Sequence, residues 1–311
     1  MSRDTLLFYH LHTPASNRFE RVVRGLDIRS HATDIAALAR RLPANVDAVF
    51  VKTDHWLTDP SYFQGLATEI DRDGGSVTAF DSHLYFELDG TRGVVINGVE
   101  TSVRCEKYHV TVAGLPLDDD ATYHTLDLAN LIELARRAAL IIPAHAGLPR
   151  HRIPDDLLRE IVTMLADEPA EVALGYPTGY PPICNRLSRN EVPFRRSLQK
   201  FARAHGVFLV PELDLHAVVP PAFAGCGLLP TSTVDALEAG SLPVEDILAA
   251  DLVAYDDRRN GLTLPEFLRT YPTFLPLIGE SDGYGALFRE SLLAQDTLAS
   301  IDFSEHAVSL P

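Results

Sequence analysis

Short motifs rich in histidine and carboxylate recur along the first 216 residues, and five of them close an apolar run typical of a buried strand. The first is "HLH", in which His10 and His12 follow the run "TLLFY". The candidate residues of the later motifs are Asp54, His55, Glu100, His109, His145, Asp214 and His216. A buried strand that ends in a histidine must give that ring a hydrogen-bond partner or a ligand. One histidine alone is more often a hydrogen-bonded or exposed residue, but the ordered set indicates a metal site.

These residue types define the chemistry that such a site would perform. Nitrogen and oxygen ligands without thiolates suit zinc, manganese or iron. Two such cations a few ångströms apart can hold a bridging water, lower its pKa towards neutrality and neutralise phosphoryl oxygens. We expect Asp54, which precedes a candidate ligand, either to orient a histidine or the water or to cap the following loop.

Arginines that follow the same strand ends are candidates for phosphate binding, because a guanidinium group can bind phosphate in a bidentate manner. They are Arg18, Arg150, Arg152 and Arg186. Each of these arginines, taken alone, is better interpreted as a solvated surface residue. The segment 186–203 holds six cations and one acid, Glu191. It is interpreted either as a patch for a nucleotide or short nucleic acid or as a solvated helix face, with Phe194, Leu198 and Phe201 directed to the core.

The elements that position these residues alternate between strand and helix for about 215 residues. This rhythm predicts parallel strands joined by crossover helices, in a barrel or a doubly wound sheet. In parallel α/β barrels the active site is built at the carboxyl ends of the strands, where the motifs fall. The rhythm is lost from about Phe223, so residues 221–311 are predicted to form a mostly helical extension.

The order His-x-His, Thr-Asp-His, Gly-Val-Glu, Ala-His and Asp-x-His resembles the PHP (polymerase and histidinol phosphatase) family. The resemblance covers about residues 5–220 and implies a distorted seven-stranded (βα) barrel, TIM-like, over residues 1–220. Family members hydrolyse phosphate esters with two or three divalent metals, commonly zinc, manganese or iron. They include histidinol phosphatases, nucleotide phosphoesterases, small exonucleases and domains fused to bacterial DNA polymerases.

The resemblance also implies a ligand set. One metal would be held by His10, His12, Glu100 and Asp214. Glu100 would bridge to a second metal, completed by His109 and His145. A third metal would be held by His55, His216 and a residue of the loop after His12. Many relatives carry an aspartate or histidine in that loop, whereas this chain offers Asn17 or Arg18, so we expect a weak third site.

The amino-acid composition limits the classes of partner that we expect. The net charge of −16 argues against a large basic face for long nucleic acid. We therefore expect a small phosphorylated substrate or a nucleotide, and the sequence does not indicate an oligomeric state. No apolar run of about 18 residues predicts a membrane helix. Three scattered cysteines are typical of reduced thiols in a cytoplasm.

Three functions compete. The first is a metal-dependent hydrolase that cleaves a phosphoester of a small molecule or nucleotide, with Asp54, Glu100 and His216 as its catalytic residues. The second is a 3′–5′ exonuclease or oligonucleotide phosphodiesterase, for which 186–203 would line an open groove. The third is a PHP-like barrel that binds metal without turnover. Departures from the family pattern favour the third: Phe8 and Asn17 in place of acids, and "PELDLH" in place of "GSDxH".

Overall fold

The computed structural model describes residues 3–13, 15–16, 34–40, 42, 45–146, 152–178, 191–214, 226–253 and 307–308, and they form a mixed α/β structure. The helices within these ranges are α1 (Ile35–Ala39), α2 (Pro60–Arg72), α3 (Leu128–Ala135), α4 (Asp155–Leu165), α5 (Glu191–His205), α6 (Ser232–Glu238) and α7 (Val244–Leu248). The strands are β1 (Asp4–Leu11), β2 (Val46–Lys52), β3 (Asp54–His55), β4 (Ser76–Ala79), β5 (His83–Leu88), β6 (Thr91–Ile96), β7 (Gly98–Val103), β8 (His109–Ala113), β9 (Thr125–Leu126), β10 (Leu140–Pro143), β11 (Glu171–Pro177), β12 (Phe208–Glu212), β13 (Gly227–Leu229), β14 (Asp251–Val253) and β15 (Ala307–Val308).

The first sheet has the strand order β15-β14-β13-β1-β2-β6-β5-β4. Its central strands β1, β2 and β6 are parallel. Strands β5 and β6 form a hairpin at "LDGTRG", and its turn residues Asp89 and Gly90 have φ angles of 52° and 80°. Positive φ at both positions is what a tight type I′ hairpin turn requires, and an Asp-Gly pair tolerates it well.

The second sheet has the order β12-β11-β10-β8-β7-β3, with β9 paired to β7. Strands β10, β11 and β12 are parallel, as the alternation predicts. The prediction of parallel strands is wrong for β8, which runs antiparallel to both β7 and β10. The reason is the short connection from Val103 to His109, because a parallel crossover needs a dozen or more residues. Among the described residues the hydrogen-bonded strands form two sheets rather than one closed barrel.

Amphipathic helices cover these sheets. Helix α2 begins after Asp59, whose side chain accepts a hydrogen bond from the Ser61 N–H, with Pro60 at the first helical position. It buries Phe63, Leu66 and Ile70 at helical spacing. Helix α4 begins with Asp155 and Asp156, where acids favour the helix dipole, and buries four apolar side chains.

The described part of the predicted helical extension also contains strands. Between residues 226 and 253, helices α6 and α7 lie between β13 and β14. Strand β13 pairs antiparallel with β1, with Leu7 opposite Gly227. This part of 221–311 therefore extends the first sheet, and the expectation of a mostly helical segment misses that role. The division of the chain at residue 220 stays a prediction. None of the described helices is long and apolar enough to cross a membrane.

Candidate metal centre

Seven of the eight predicted ligands converge on one buried cluster. They are His10, His12, His55, Glu100, His109, His145 and Asp214. Most of these side chains are removed from solvent, with His10 and His12 fully buried and Glu100 1% exposed. The residues could hold metal ions in several overlapping groups of three. The structure therefore brings seven of the predicted residues together.

Strand pairing explains how distant motifs meet. In the parallel pair of β3 and β7, His55 lies directly opposite Glu100. The reversal of β8 brings its first residue, His109, opposite Ser102 on β7. The neighbouring β10 ends beside it, because the Ala144 N–H donates to the His109 carbonyl at 2.9 Å. His145 follows immediately, so an antiparallel strand begins where the parallel strands end.

Glu100 lies at the centre of the cluster, and its two oxygens face different histidines. Its Oε2 is 2.7 Å from His55 Nδ1 and 3.5 Å from His12 Nε2. Its Oε1 is 2.7 Å from His109 Nδ1, 3.4 Å from His145 Nε2 and 3.5 Å from His10 Nε2. A carboxylate with histidines on both sides has the arrangement expected of a bridge between two cations.

The donor set fits a divalent metal. Neither Glu100 oxygen accepts a hydrogen bond of good geometry within the described residues, although both are buried. An unsatisfied buried carboxylate is costly, and a cation is one way to compensate it. Two ligands at about 2.1 Å from one metal lie about 3.0–3.4 Å apart. The Nε2 of His12 and Oδ1 of Asp214 are 3.4 Å apart, which matches that spacing.

Charge in the cluster is strongly coupled. Burial opposes the charged form of Glu100, but the charges of His109, His55 and His10 outweigh it and hold its pKa well below the usual range. Burial likewise disfavours the protonated form of His10, but Glu100 and Asp214 outweigh it and raise the pKa of His10 well above 6.5. The pKa of His109 is raised in the same way, with Glu100 as the main opposing charge. A bound cation would take the place of these protons.

The backbone is strained at three candidate ligands. His10, His145 and Asp214 have φ angles of 68°, 33° and 48°, in the left-handed region that non-glycine residues rarely adopt. His10 also marks an irregularity in the β1–β2 register, because Tyr9 pairs with Val51 and Leu11 with Lys52. The extra residue of a bulge re-aims its side chain, and bulges often lie beside active sites. Such strain costs of the order of 1–3 kcal/mol per residue and clusters at functional sites.

Ser16 fixes the ring of His12. The Ser16 hydroxyl donates to Asp54 Oδ1 at 2.8 Å and accepts the His55 N–H at 3.0 Å. A hydroxyl has one proton, so the remaining contact, 3.2 Å to His12 Nδ1, needs a proton from the histidine. His12 is thereby held with its Nε2 lone pair towards Glu100.

Asp54 lies behind the cluster, in contact with the loop that carries Ser16. Its oxygens also accept from the Thr13 N–H at 2.6 Å and the Thr13 hydroxyl at 2.7 Å, and Lys52 Nζ is 2.7 Å away. Lys52 is fully buried. These contacts anchor the loop after His12 rather than the loop that follows Asp54, and among the described residues they reach His12 through Ser16.

Sequence reasoning missed Glu212. Its Oε1 is 2.5 Å from His10 Nδ1, and its Oε2 accepts the His145 N–H at 2.6 Å. A usable signal was present in "PELDLH". Glu212 lies two residues before Asp214, and an acid at the buried end of a strand requires donors or a cation.

The remaining predicted site residues have different outcomes. Those outside the described residues are Asn17, Arg18, Arg150, Arg186 and His216. Arg152 is described: its guanidinium donates to Asp155 at 3.3 Å, and it lines a small cavity with Ala146, the residue after His145. Of the predicted stripe on α5, Leu198 and Phe201 are buried, and the side chain of Phe194 lies outside the description.

No protein-family model matches the chain, and no curated protein is significantly similar to it.

Proposed function

We propose that the protein is a metal-dependent hydrolase that cleaves a phosphoester of a small molecule or nucleotide. The observation that carries the proposal is Glu100, a buried carboxylate with histidines against both oxygens and no well-formed hydrogen bond among the described residues. Cations on its two sides would lie a few ångströms apart. This separation is typical of two-metal sites that act on phosphate esters.

A PHP-like barrel is part of the same proposal, and contacts between the two sheets support it. Strand β2 continues through Thr53 into β3, which pairs with β7 of the second sheet. At the other margin, the Leu213 N–H, just after β12, donates to the Tyr9 carbonyl of β1 at 3.1 Å. These contacts connect the two sheets in the order β1, β2–β3, β7, β8, β10, β11 and β12. If β2 and β3 are counted as one strand, this order has seven strands, the number that the family resemblance implies.

The division of labour follows from the geometry. Divalent cations, when bound, would supply positive charge to phosphoryl oxygens and acidify a water. His10, His12 and Asp214 would hold one of them, His109 and His145 another, and Glu100 would lie between. His55 lies on the Oε2 side of Glu100, next to His12, with ring centroids 4.2 Å apart. We therefore assign His55 to the metal on the Oε2 side of Glu100. A third metal would then be held only by His216 and a residue of the loop after His12.

Substrate binding is expected to need few protein cations. Arg152 lies on the cavity beside Ala146 and can release Asp155 to bind a phosphoryl group. Its link to Asp155 is an exposed contact and therefore weak. The net charge of −16 disfavours a polyanion, which supports a small ester over an oligonucleotide.

The test is a hydrolysis screen with the full chain loaded with Zn²⁺, Mn²⁺ or Fe²⁺. The substrates are phosphomonoesters, phosphodiesters and single-stranded oligonucleotides, at low and high salt. We expect hydrolysis of a small ester that changes little with salt, and loss of that activity in Glu100→Gln. Replacement of Arg195 and Arg196 should leave it nearly intact. Oligonucleotide degradation that outpaces every small ester and falls in that double variant would favour the exonuclease. A metal-loaded protein without any turnover would favour the binding barrel.

A further inference from the structure

Glu212 contacts His10 and His145, two candidate ligands that the proposed function assigns to different metals. Its Oε1 is 2.5 Å from His10 Nδ1 and 3.3 Å from His145 Nδ1, and its Oε2 accepts the His145 N–H at 2.6 Å. The rings of His10 and His145 are stacked with centroids 5.3 Å apart and planes 16° from parallel. We propose that Glu212 is a positioning residue that fixes both rings from behind and so couples the two metal sites.

The contact between Glu212 and His10 is too short to be the spacing of two ligands on one cation. Ligands about 2.1 Å from a metal are about 3.0 Å apart even at a right angle. The observed 2.5 Å is instead a short, aligned hydrogen bond. The contacts of Glu100 with His55 and His109, at 2.7 Å, are also shorter than 3.0 Å, but they lack that alignment, so hydrogen-bond geometry rather than distance distinguishes the two carboxylates. Glu212 therefore behaves as an outer carboxylate and Glu100 as a ligand.

The hydrogen bond sets the tautomer of His10. An ionised carboxylate only accepts, so the proton must lie on Nδ1 of the histidine. The Nε2 lone pair then faces the cluster, where His12 Nε2 is 3.0 Å away and Asp214 Oδ1 is 3.7 Å away. A carboxylate on the far nitrogen of a ligand histidine fixes its orientation and raises its basicity, and its loss typically costs 10–100-fold in metal affinity.

The hydrogen bond to the backbone extends the same control to His145. This residue has a φ of 33°, so its conformation needs support from its surroundings. The bond from its N–H to Glu212 provides that support at the residue itself. Glu212 is held in turn, because its carbonyl accepts from the N–H and the hydroxyl of Thr178 at 2.7 and 3.0 Å.

The neighbouring strand leaves space for the carboxylate. Gly175 on β11 lies beside it, and a Cβ added there would be 2.2 Å from Glu212 Oε2. Any side chain at position 175 would displace Glu212. The glycine and the glutamate therefore form a matched pair on adjacent parallel strands, which supports a positional role for the carboxylate.

The inference rests on the metal centre of the proposed function but not on hydrolysis, so it is tested by metal binding. The probes are Co²⁺, followed by its visible absorption, and Zn²⁺, followed by competition with a chelator, both on the full chain. In Glu212→Gln an amide NH₂ group replaces one carboxylate oxygen. The side chain then keeps one acceptor oxygen and cannot accept hydrogen bonds from both His10 and the His145 N–H. We expect affinity for both metal equivalents to fall 10–100-fold together. Gly175→Ala should lower it in the same way.

Asp47→Asn is the matched control. Asp47 is equally buried, but it lies at the amino end of β2, where it is paired with Arg3 and Arg92. It should lower stability and leave metal affinity unchanged. Histidine ¹⁵N NMR of the metal-free wild type supplies a second measurement, in which Nδ1 of His10 should carry a proton whether or not the ring is charged. Glu212→Asp keeps the charge and should bind metal more tightly than Glu212→Gln.

The outcomes separate this inference from the hydrolase proposal. Affinity in Glu212→Gln within about twofold of wild type would overturn the inference, as would a His10 ring without a proton on Nδ1. If Glu212→Gln fails to fold, Gly175→Ala, Glu212→Asp and the NMR measurement decide it. A wild type that binds metal and hydrolyses nothing refutes only the hydrolase. A wild type that binds no divalent ion overturns both.

Discussion

The replacement of Asp54 by asparagine is expected to destabilise the protein strongly, because it leaves a buried charge without its partner. Lys52 Nζ is 2.7 Å from Asp54 Oδ2, and both side chains are fully buried. Lys52 Nζ makes no well-formed hydrogen bond within the described residues, so Asp54 compensates it as an ion-pair partner, and the rings of Tyr62 and Phe63 lie 5.8 and 5.7 Å from it. Those rings offer weak compensation for an ammonium group.

The expected magnitude follows from the partners that are lost. Removal of one member of a buried ion pair typically costs about 3–5 kcal/mol. In Asp54→Asn the amide NH₂ group takes the position of one carboxylate oxygen. It then faces another donor, either Lys52 Nζ or the backbone N–H of Thr13, and the backbone N–H cannot rotate away. We therefore expect the free energy of unfolding to fall by about 3–5 kcal/mol in the metal-free protein. Lys52→Met should cost less, because Asp54 keeps its donors from Thr13 and Ser16.

The assay is urea unfolding of wild type, both single variants and the double variant, each stripped of metal. A double-mutant cycle isolates the coupling between the two residues. The double variant should be more stable than Asp54→Asn alone, since no buried charge is left uncompensated. A decrease of less than about 1 kcal/mol in the free energy of unfolding of Asp54→Asn, or additive costs in the double variant, would refute the role of the buried ion pair in anchoring the loop after His12.

Three further predictions concern the centre itself. Glu100→Gln should lower the occupancy of both metals and abolish phosphoester hydrolysis, and full metal content by elemental analysis would contradict the bridge. The raised pKa values of His10 and His109 stabilise the metal-free fold fully below about 6.5, and this stabilisation is lost as pH rises through the folded-state pKa. The urea concentration at the unfolding midpoint of the metal-free protein should therefore decrease as pH rises from 6 to 9. Metal-loaded protein should instead gain stability over that range, because protons cease to compete with metal. An increase of the midpoint with pH in the metal-free protein would contradict this sign. Arg152→Met should raise KM for the phosphoester about 10-fold with little effect on metal content, as expected for one charged hydrogen bond to phosphate, and an unchanged KM would exclude Arg152 from substrate binding.

The sequence was informative where residue type alone determines the outcome. A histidine or carboxylate at the end of an apolar strand needs a hydrogen-bond partner or a ligand, so residue type alone predicts that His10, His55 and Asp214 belong to a polar or metal-binding site. Their convergence then follows from strand order. Parallel β1 and β2, with β3 paired to β7, bring residues 10, 55 and 100 to one edge.

Other features depend on pairings and backbone conformations that residue patterns do not specify. The reversal of β8 was readable from its short connection, but the alternation of strand and helix outweighed that signal. The left-handed conformation of His10 depends on the bulge against β2, which is a property of the pair of strands. Glu212 was overlooked because its partners, His10 and the His145 N–H, are distant in sequence.

The central claim is that the cluster around Glu100 is a centre for divalent cations, and the metal content of the purified full chain tests it most directly. The protein is loaded with Zn²⁺ or Mn²⁺, passed through gel filtration in chelator-free buffer and analysed by inductively coupled plasma mass spectrometry beside Glu100→Gln. We expect about two metal ions per chain in the wild type and fewer than one in the variant. Wild-type protein that emerges without bound metal, or a Glu100→Gln variant that retains the full content, would contradict the account.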